Sequence, residues 1–163
     1  MRVLGIDPGL AITGYAVVRE EGASLRLITA GVVRTPAETP APQRLRAIYA
    51  GLQEVIQEFH PDVAAVEELF FSRNVRTAMS VSQARGVALL ALVDAGLPIA
   101  EYTPPQVKQA VTGYGNADKR QVQKMVQLLL HLSEIPRPDD AADAAAVAIC
   151  YTHRARLDNL LDG

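Results

Sequence analysis

Asp7, Glu67, Asp140 and Asp143 lie far apart in the chain, yet each falls where an element should end or begin. Asp7 closes the short apolar run Arg2-Val3-Leu4-Gly5-Ile6 and precedes the turn signal Pro8-Gly9. Glu67 closes a second short run, Val63-Ala64-Ala65-Val66. Asp140 and Asp143, spaced i,i+3, share one face in the first turn of a helix. An ionised carboxylate at the end of a buried strand is costly unless it is paired or binds a metal. Several crowded together repel one another, and protonation or cations must relieve them. Hard oxygen donors of this kind select magnesium or manganese. Two such ions can activate a water and stabilise the leaving oxygen of an in-line phosphoryl displacement.

Each position also has an ordinary structural role. Asp before Pro-Gly is common turn chemistry, and Glu67-Glu68 suits the polar end of a strand. Asp139 and Asp140 at a helix start are what capping and the helix dipole alone would select. Asp143 is harder to explain in that way, because alanines and a valine follow it on a face that should be buried. Other metal chemistry is poorly supported: His60, His131 and His153 show no ligand spacing, and a single cysteine excludes a zinc cluster. No glycine-rich nucleotide loop ending in Lys-Ser/Thr is present.

The elements that must position these groups can be read from periodicity. Residues 2–7, 12–19 and 24–34 predict three strands joined by tight turns, hence an antiparallel half-sheet. The proline-rich stretch 35–42 is a loop. Leu45, Ile48, Leu52, Val55, Ile56 and Phe59 recur at helical spacing over residues 43–59, and His60-Pro61 ends that helix. Residues 62–66 predict a strand which, after a helix, should return parallel to the first. A helix over 74–95, ended by Gly96, is apolar around its axis in its second half. One side of it can face the sheet, and the other asks for a second layer or a second subunit. Residues 97–102 make a fifth strand, Thr103 caps a helix with Pro104 at its first position, and Asn116 is expected to cap the next. The last helix should run from Asp139 to about residue 154, leaving residues 156–163 as a frayed tail. The expected architecture is α/β, one domain over residues 1–155 with a mixed five-stranded sheet flanked by helices.

With 163 residues and 49 % hydrophobic content, the chain can bury a good core. Apolar runs such as 87–93 are far too short to span a bilayer, and no leader is visible at the N-terminus. Cys150 cannot form an internal disulfide and reads as a buried thiol in an alanine-rich helix. A cytoplasmic protein without membrane contact is expected. The net charge of −2 says little, but its distribution says more. Arg73, Arg76 and Arg85 are the only charges from 71 to 91. From 102 to 138, Lys108, Lys119, Arg120, Lys124 and Arg137 face only Asp118 and Glu134. An acidic spot flanked by basic segments suits a metal-dependent enzyme acting on a polyanion, although any one of these lysines could equally sit on a solvated helix face.

The segments GIDPGLAITGYAVV, AVEELFF, QARGVALL, QVKQAVTGYGNADKRQVQKMV and PDDAADAAAVAI, in this order, resemble the RuvC family of Holliday-junction resolvases over nearly the whole chain. The resemblance implies a ribonuclease-H-like fold and a homodimer that cleaves four-way DNA junctions by symmetric nicks in recombination and repair. It implies Mg²⁺, with Mn²⁺ as an alternative, at two ions per active site. Asp7, Glu67, Asp140 and Asp143 match the family's catalytic, metal-binding carboxylates. Asp139 offers a competing register, since 139 and 143 also share a face. Lys108 and Lys119 match lysines that hold phosphates near the cleaved bond. Phe70 matches an aromatic that stacks on opened bases, while Arg73 and Arg76 are expected to contact the backbone. Branch-migration partners of the RuvA and RuvB type follow by the same resemblance.

Two rival classes remain at this point. A nucleotide-binding, ATPase-like domain would also use GIDPG and a hairpin, but such proteins generally need two such domains. A non-catalytic nucleic-acid module would keep the fold without the chemistry, but it would not need all four acidic positions.

Overall fold

The computed structural model describes residues 1–69 and 74–161. Three strands, β1 (Arg2–Asp7), β2 (Ile12–Glu21) and β3 (Ser24–Arg34), form an antiparallel meander. After α1 (Ala41–Phe59), β4 (Val63–Glu67) pairs parallel to β1. After α2 (Val75–Asp94), β5 (Ile99–Tyr102) pairs parallel to β4. The sheet order is β3-β2-β1-β4-β5, the mixed sheet expected. Three helices follow: α3 (Pro104–Thr112), α4 (Lys119–Leu129) and α5 (Asp139–Leu161).

Strand alternation divides the core into two layers. Leu4 and Ile6 of β1, Val17 of β2 and Ala64 and Val66 of β4 face Ile48, Leu52, Val55 and Ile56 of α1 and Ala84, Ala88, Ala91 and Leu92 of α2. Val3 of β1, Ala16 and Val18 of β2 and Val63 and Ala65 of β4 face the other way, onto α3, α4 and α5. The last residues of β1 and β4 therefore carry Asp7 and Glu67 onto the α5 side, by period-two alternation alone.

Two local expectations are corrected. Asp118, not Asn116, caps α4: its carboxylate accepts from Gln121 N–H at 2.8 Å, and Gln121 returns a bond to the Asp118 N–H. Asn116 instead lies in the turn closed by Ala117 N–H on the Tyr114 carbonyl. The last helix continues through Leu161 rather than ending near residue 154. Arg156 anchors the extension, its Nε donating to Glu20 Oε1 at 2.6 Å and its Nη2 to the Gly22 carbonyl at 3.0 Å. In α2 the sheet-facing residues are mostly alanines, while Val75, Met79, Leu90 and Val93 are 53–70 % exposed. Its second half is apolar around the axis, as the sequence suggests, and in the single chain only one side is covered.

Candidate active site

Asp7 ends β1 opposite Gly14 on β2, and Ile6 pairs with Val66 on β4, so Glu67 emerges beside Asp7 at the same sheet edge. The loop after Asp7 is tied down by Thr13, a fully buried residue whose hydroxyl donates to the Gly9 carbonyl at 2.6 Å. Thr35 donates to the Leu10 carbonyl and accepts from Arg44 Nε at 2.9 Å. These bonds hold the Pro8-Gly9 turn and hence the direction of the Asp7 side chain.

The opposing carboxylates arrive on α5, and two glycines decide how closely it can lie. A Cβ built on Gly14 would stand 2.0 Å from the Asp140 carbonyl oxygen, and one on Gly5 would stand 2.0 Å from that of Ala144. Only glycine admits this backbone-to-strand contact. Ala141, Ala142, Ala144, Ala145 and Ala148 continue the close approach along the helix. The result is a group in which carboxylate oxygens of Asp7, Asp140 and Asp143 all lie within 4.8 Å of one another. Glu67 stands outside that mutual group but shares a side-chain hydrogen bond with Asp7.

The electrostatics follow from crowding partly buried acids. Burial pushes Asp7 up to about 8, and the charges of Glu67, Asp143 and Asp140 add to it, while Lys119 opposes. Burial pushes Glu67 up to about 7, with Asp143 adding, and the Asp7 hydrogen bond, Lys108 and Lys119 pull the other way. Asp143 is also raised, by burial first, against the charge of Lys119. Lys119 is held protonated above its usual range: burial works against its charge, but Asp143 and Asp139 outweigh burial. Its Nζ lies 3.5 Å from Asp143 Oδ2 and 3.3 Å from Asp139 Oδ2.

Asp139 and Asp140 separate here. Asp140 joins Asp7 and Asp143, whereas Asp139 turns to Lys119 and accepts from Gln123 Nε2 at 3.2 Å. Lys108 lines a cleft with Glu67, Lys119 and Asp143. Arg76 is exposed in the first turn of α2. Phe70 and Arg73 lie outside the described residues. Sequence reasoning missed Gly5, Gly14, Thr13 and Thr35. Glycine inside two apolar strands was the available signal, since it marks close approach of another backbone.

This donor set fits a hard divalent cation. Oxygen donors from two elements converge, and ionisation of the buried acids is suppressed unless positive charge arrives.

A family model described as "Crossover junction endodeoxyribonuclease RuvC" matches residues 3–151. RuvC of Chloroflexus aggregans is 59 % identical over 155 residues, 95 % of this chain and 94 % of that protein. The structure of Thermus thermophilus RuvC in complex with Holliday junction substrate superposes with a TM-score of 0.92 at 43 % identity, covering 97 % of this chain and 96 % of that one. The yeast mitochondrial Holliday junction resolvase Ydc2 matches at a TM-score of 0.66 and 17 % identity over 97 % of this chain and 82 % of its own, a likeness of fold. The mixed sheet with its helices is thus ribonuclease-H-like, and the chain belongs to the RuvC family of crossover junction endodeoxyribonucleases.

Proposed function

We propose that this chain resolves four-way DNA junctions by hydrolysing phosphodiester bonds, as a cytoplasmic homodimer that places paired, symmetric nicks with Mg²⁺ bound. The observation that carries the reading is the convergence of Asp7, Asp140 and Asp143 within 4.8 Å, with Glu67 bonded to Asp7 and lysines at the rim.

Asp7, Asp140 and Asp143 would hold one cation, and Glu67, in contact with Asp7, would share in a second. Bound there, such ions would supply Lewis acidity at the phosphate and would lower the pKa of an attacking water into the working range. The protein's own contributions are separable from that chemistry. Thr13 and Thr35 hold the loop that aims Asp7, and Gly5 and Gly14 hold α5 against it. Lys119 offsets the charge of Asp143 until DNA arrives, then can pass its ammonium to a phosphate oxygen while Asp139 still tethers it. Lys108 approaches the same cleft from α3. Phe70 stacks on opened bases and Arg73 and Arg76 hold backbone phosphates, roles that rest on the family resemblance. The uncovered face of α2, with Val75, Met79, Leu90 and Val93, is the dimer surface, and its two-fold axis pairs the two sites. Proteins of the RuvA and RuvB type would deliver the substrate.

The test is incubation with a synthetic four-way junction, with and without Mg²⁺ or Mn²⁺, against duplex controls. Paired nicks in the junction alone, dependent on the cation, are expected. Equal nicking of duplex, or no cleavage under any cation, would overturn the reading.

A further inference from the structure

We propose that Tyr114, Arg120 and Lys124 form a shelf that holds the duplex arm of the substrate as it leaves the cleavage site. The inference deepens the nuclease reading and rests on it. The shelf is an open cleft of about 460 Å³ between the α3–α4 turn and the outer side of α4.

Tyr114 is the first reason. The residue is 58 % exposed, yet its backbone is fixed on both sides. Its N–H donates to Thr112 Oγ1 at 3.1 Å, and its carbonyl accepts from the N–H of the buried Ala117 at 3.1 Å. Gly113 before it takes φ +80, and its carbonyl accepts from Gln109 Nε2 at 3.1 Å. A hydrogen-bonded turn therefore presents a largely exposed aromatic residue. Such a ring offers a ready face to a sugar or base at low ordering cost.

Charge is the second. Arg120 and Lys124, at i,i+4, line the same cleft. Neither has a carboxylate within ion-pair distance among the described residues, although Lys124 Nζ contacts Gln127 Oε1 at 3.2 Å. Asp118 also lines the cleft, but its carboxylate is occupied by the Gln121 N–H as the α4 cap. Their backbone positions are about 6 Å apart along the helix axis, so both side chains can serve one run of the backbone.

Continuity is the third. The first turn of α4 sends Lys119 to Asp143 and the next residue, Arg120, to the shelf. The shelf therefore begins one residue along α4 from a side chain at the carboxylates. The occupant is accordingly DNA, the polyanion already at the adjacent site.

The experiment measures junction binding in EDTA as a function of salt, for the wild type, the double variant Arg120→Gln/Lys124→Gln, Tyr114→Ala and Tyr114→Phe. Each is tested on junctions with long arms and with arms trimmed to a few base pairs. On long arms, the double variant should lower the slope of log affinity against log salt by about 1–2 and weaken binding about tenfold or more near 0.15 M salt. Tyr114→Ala should weaken binding several-fold and Tyr114→Phe should restore it, because the ring face is what acts. On trimmed arms all four proteins should bind alike. Equal affinity and slope on long arms, or the same loss on long and trimmed arms, would overturn the shelf. Failure of the wild type itself to bind or cut a junction would instead overturn the nuclease reading.

Discussion

The two faces of the sheet are packed to different tolerances. On the α5 face, contact runs backbone to backbone over Gly5 and Gly14, and the alanines of α5 beside it are at most 1 % exposed. On the other face, branched side chains such as Leu4, Ile6, Ile48 and Leu52 fill the space, and α2 leaves four large apolar residues uncovered. A helix resting on strand backbone cannot slide without collision, whereas a layer of branched side chains can repack. The proposed carboxylate site is built on the first face. The proposed assembly surface is built on the second.

Charge removal at the tight face gives the largest expected effect. Asp7→Asn should reduce cleavage by about 10³-fold or more, because it deletes a donor from the carboxylate group. The same substitution should stabilise the metal-free protein at alkaline pH. Folding raises Asp7 from 3.8 to about 8, so its stabilising protonated form is fully present below the unfolded value and is lost as pH rises through the folded one. In EDTA the wild-type melting temperature should therefore fall by a few degrees between about pH 5 and pH 9, and that of Asp7→Asn should fall less. Parallel pH curves for the two proteins would show that folding does not raise Asp7.

Gly14→Ala tests the approach itself. The added carbon meets backbone at 2.0 Å, so α5 must move, at a cost of about 1–3 kcal/mol or more. Cleavage should drop about 10- to 100-fold at a temperature where circular dichroism shows the variant folded. Full activity would mean that Asp140 tolerates displacement.

On the tolerant face the smallest chemical effect is expected. Leu90→Glu should leave the monomer's circular dichroism spectrum nearly unchanged, because the side chain is 53 % exposed. It should shift sedimentation from dimer to monomer and uncouple the two nicks. An unchanged dimer would place the interface elsewhere.

Much of this contrast was legible in the sequence, for identifiable reasons. Short apolar runs bounded by turn signals gave the strands, and a run ending in an acid, before Pro8-Gly9 or before Glu68, marked Asp7 and Glu67 as residues at strand ends. What stayed hidden depended on tertiary approach. Gly5 and Gly14 look like weak strand residues until α5 is laid across them. Asp139 and Asp140 cannot be ordered from spacing, because both lie within reach of the face that holds Asp143. Asn116 and Asp118 are both good caps, and the reciprocal bond with Gln121 decides between them. The extension of α5 to Leu161 depends on Arg156 reaching Glu20 and the carbonyl of Gly22, partners more than a hundred residues away.

The most direct test of the central claim is a calorimetric titration of Mn²⁺ into the DNA-free protein, comparing the wild type with Asp140→Asn and Asp139→Asn. The wild type and Asp139→Asn should bind with similar affinity, and Asp140→Asn should bind at least tenfold more weakly. Loss of binding in Asp139→Asn with retention in Asp140→Asn would contradict that claim.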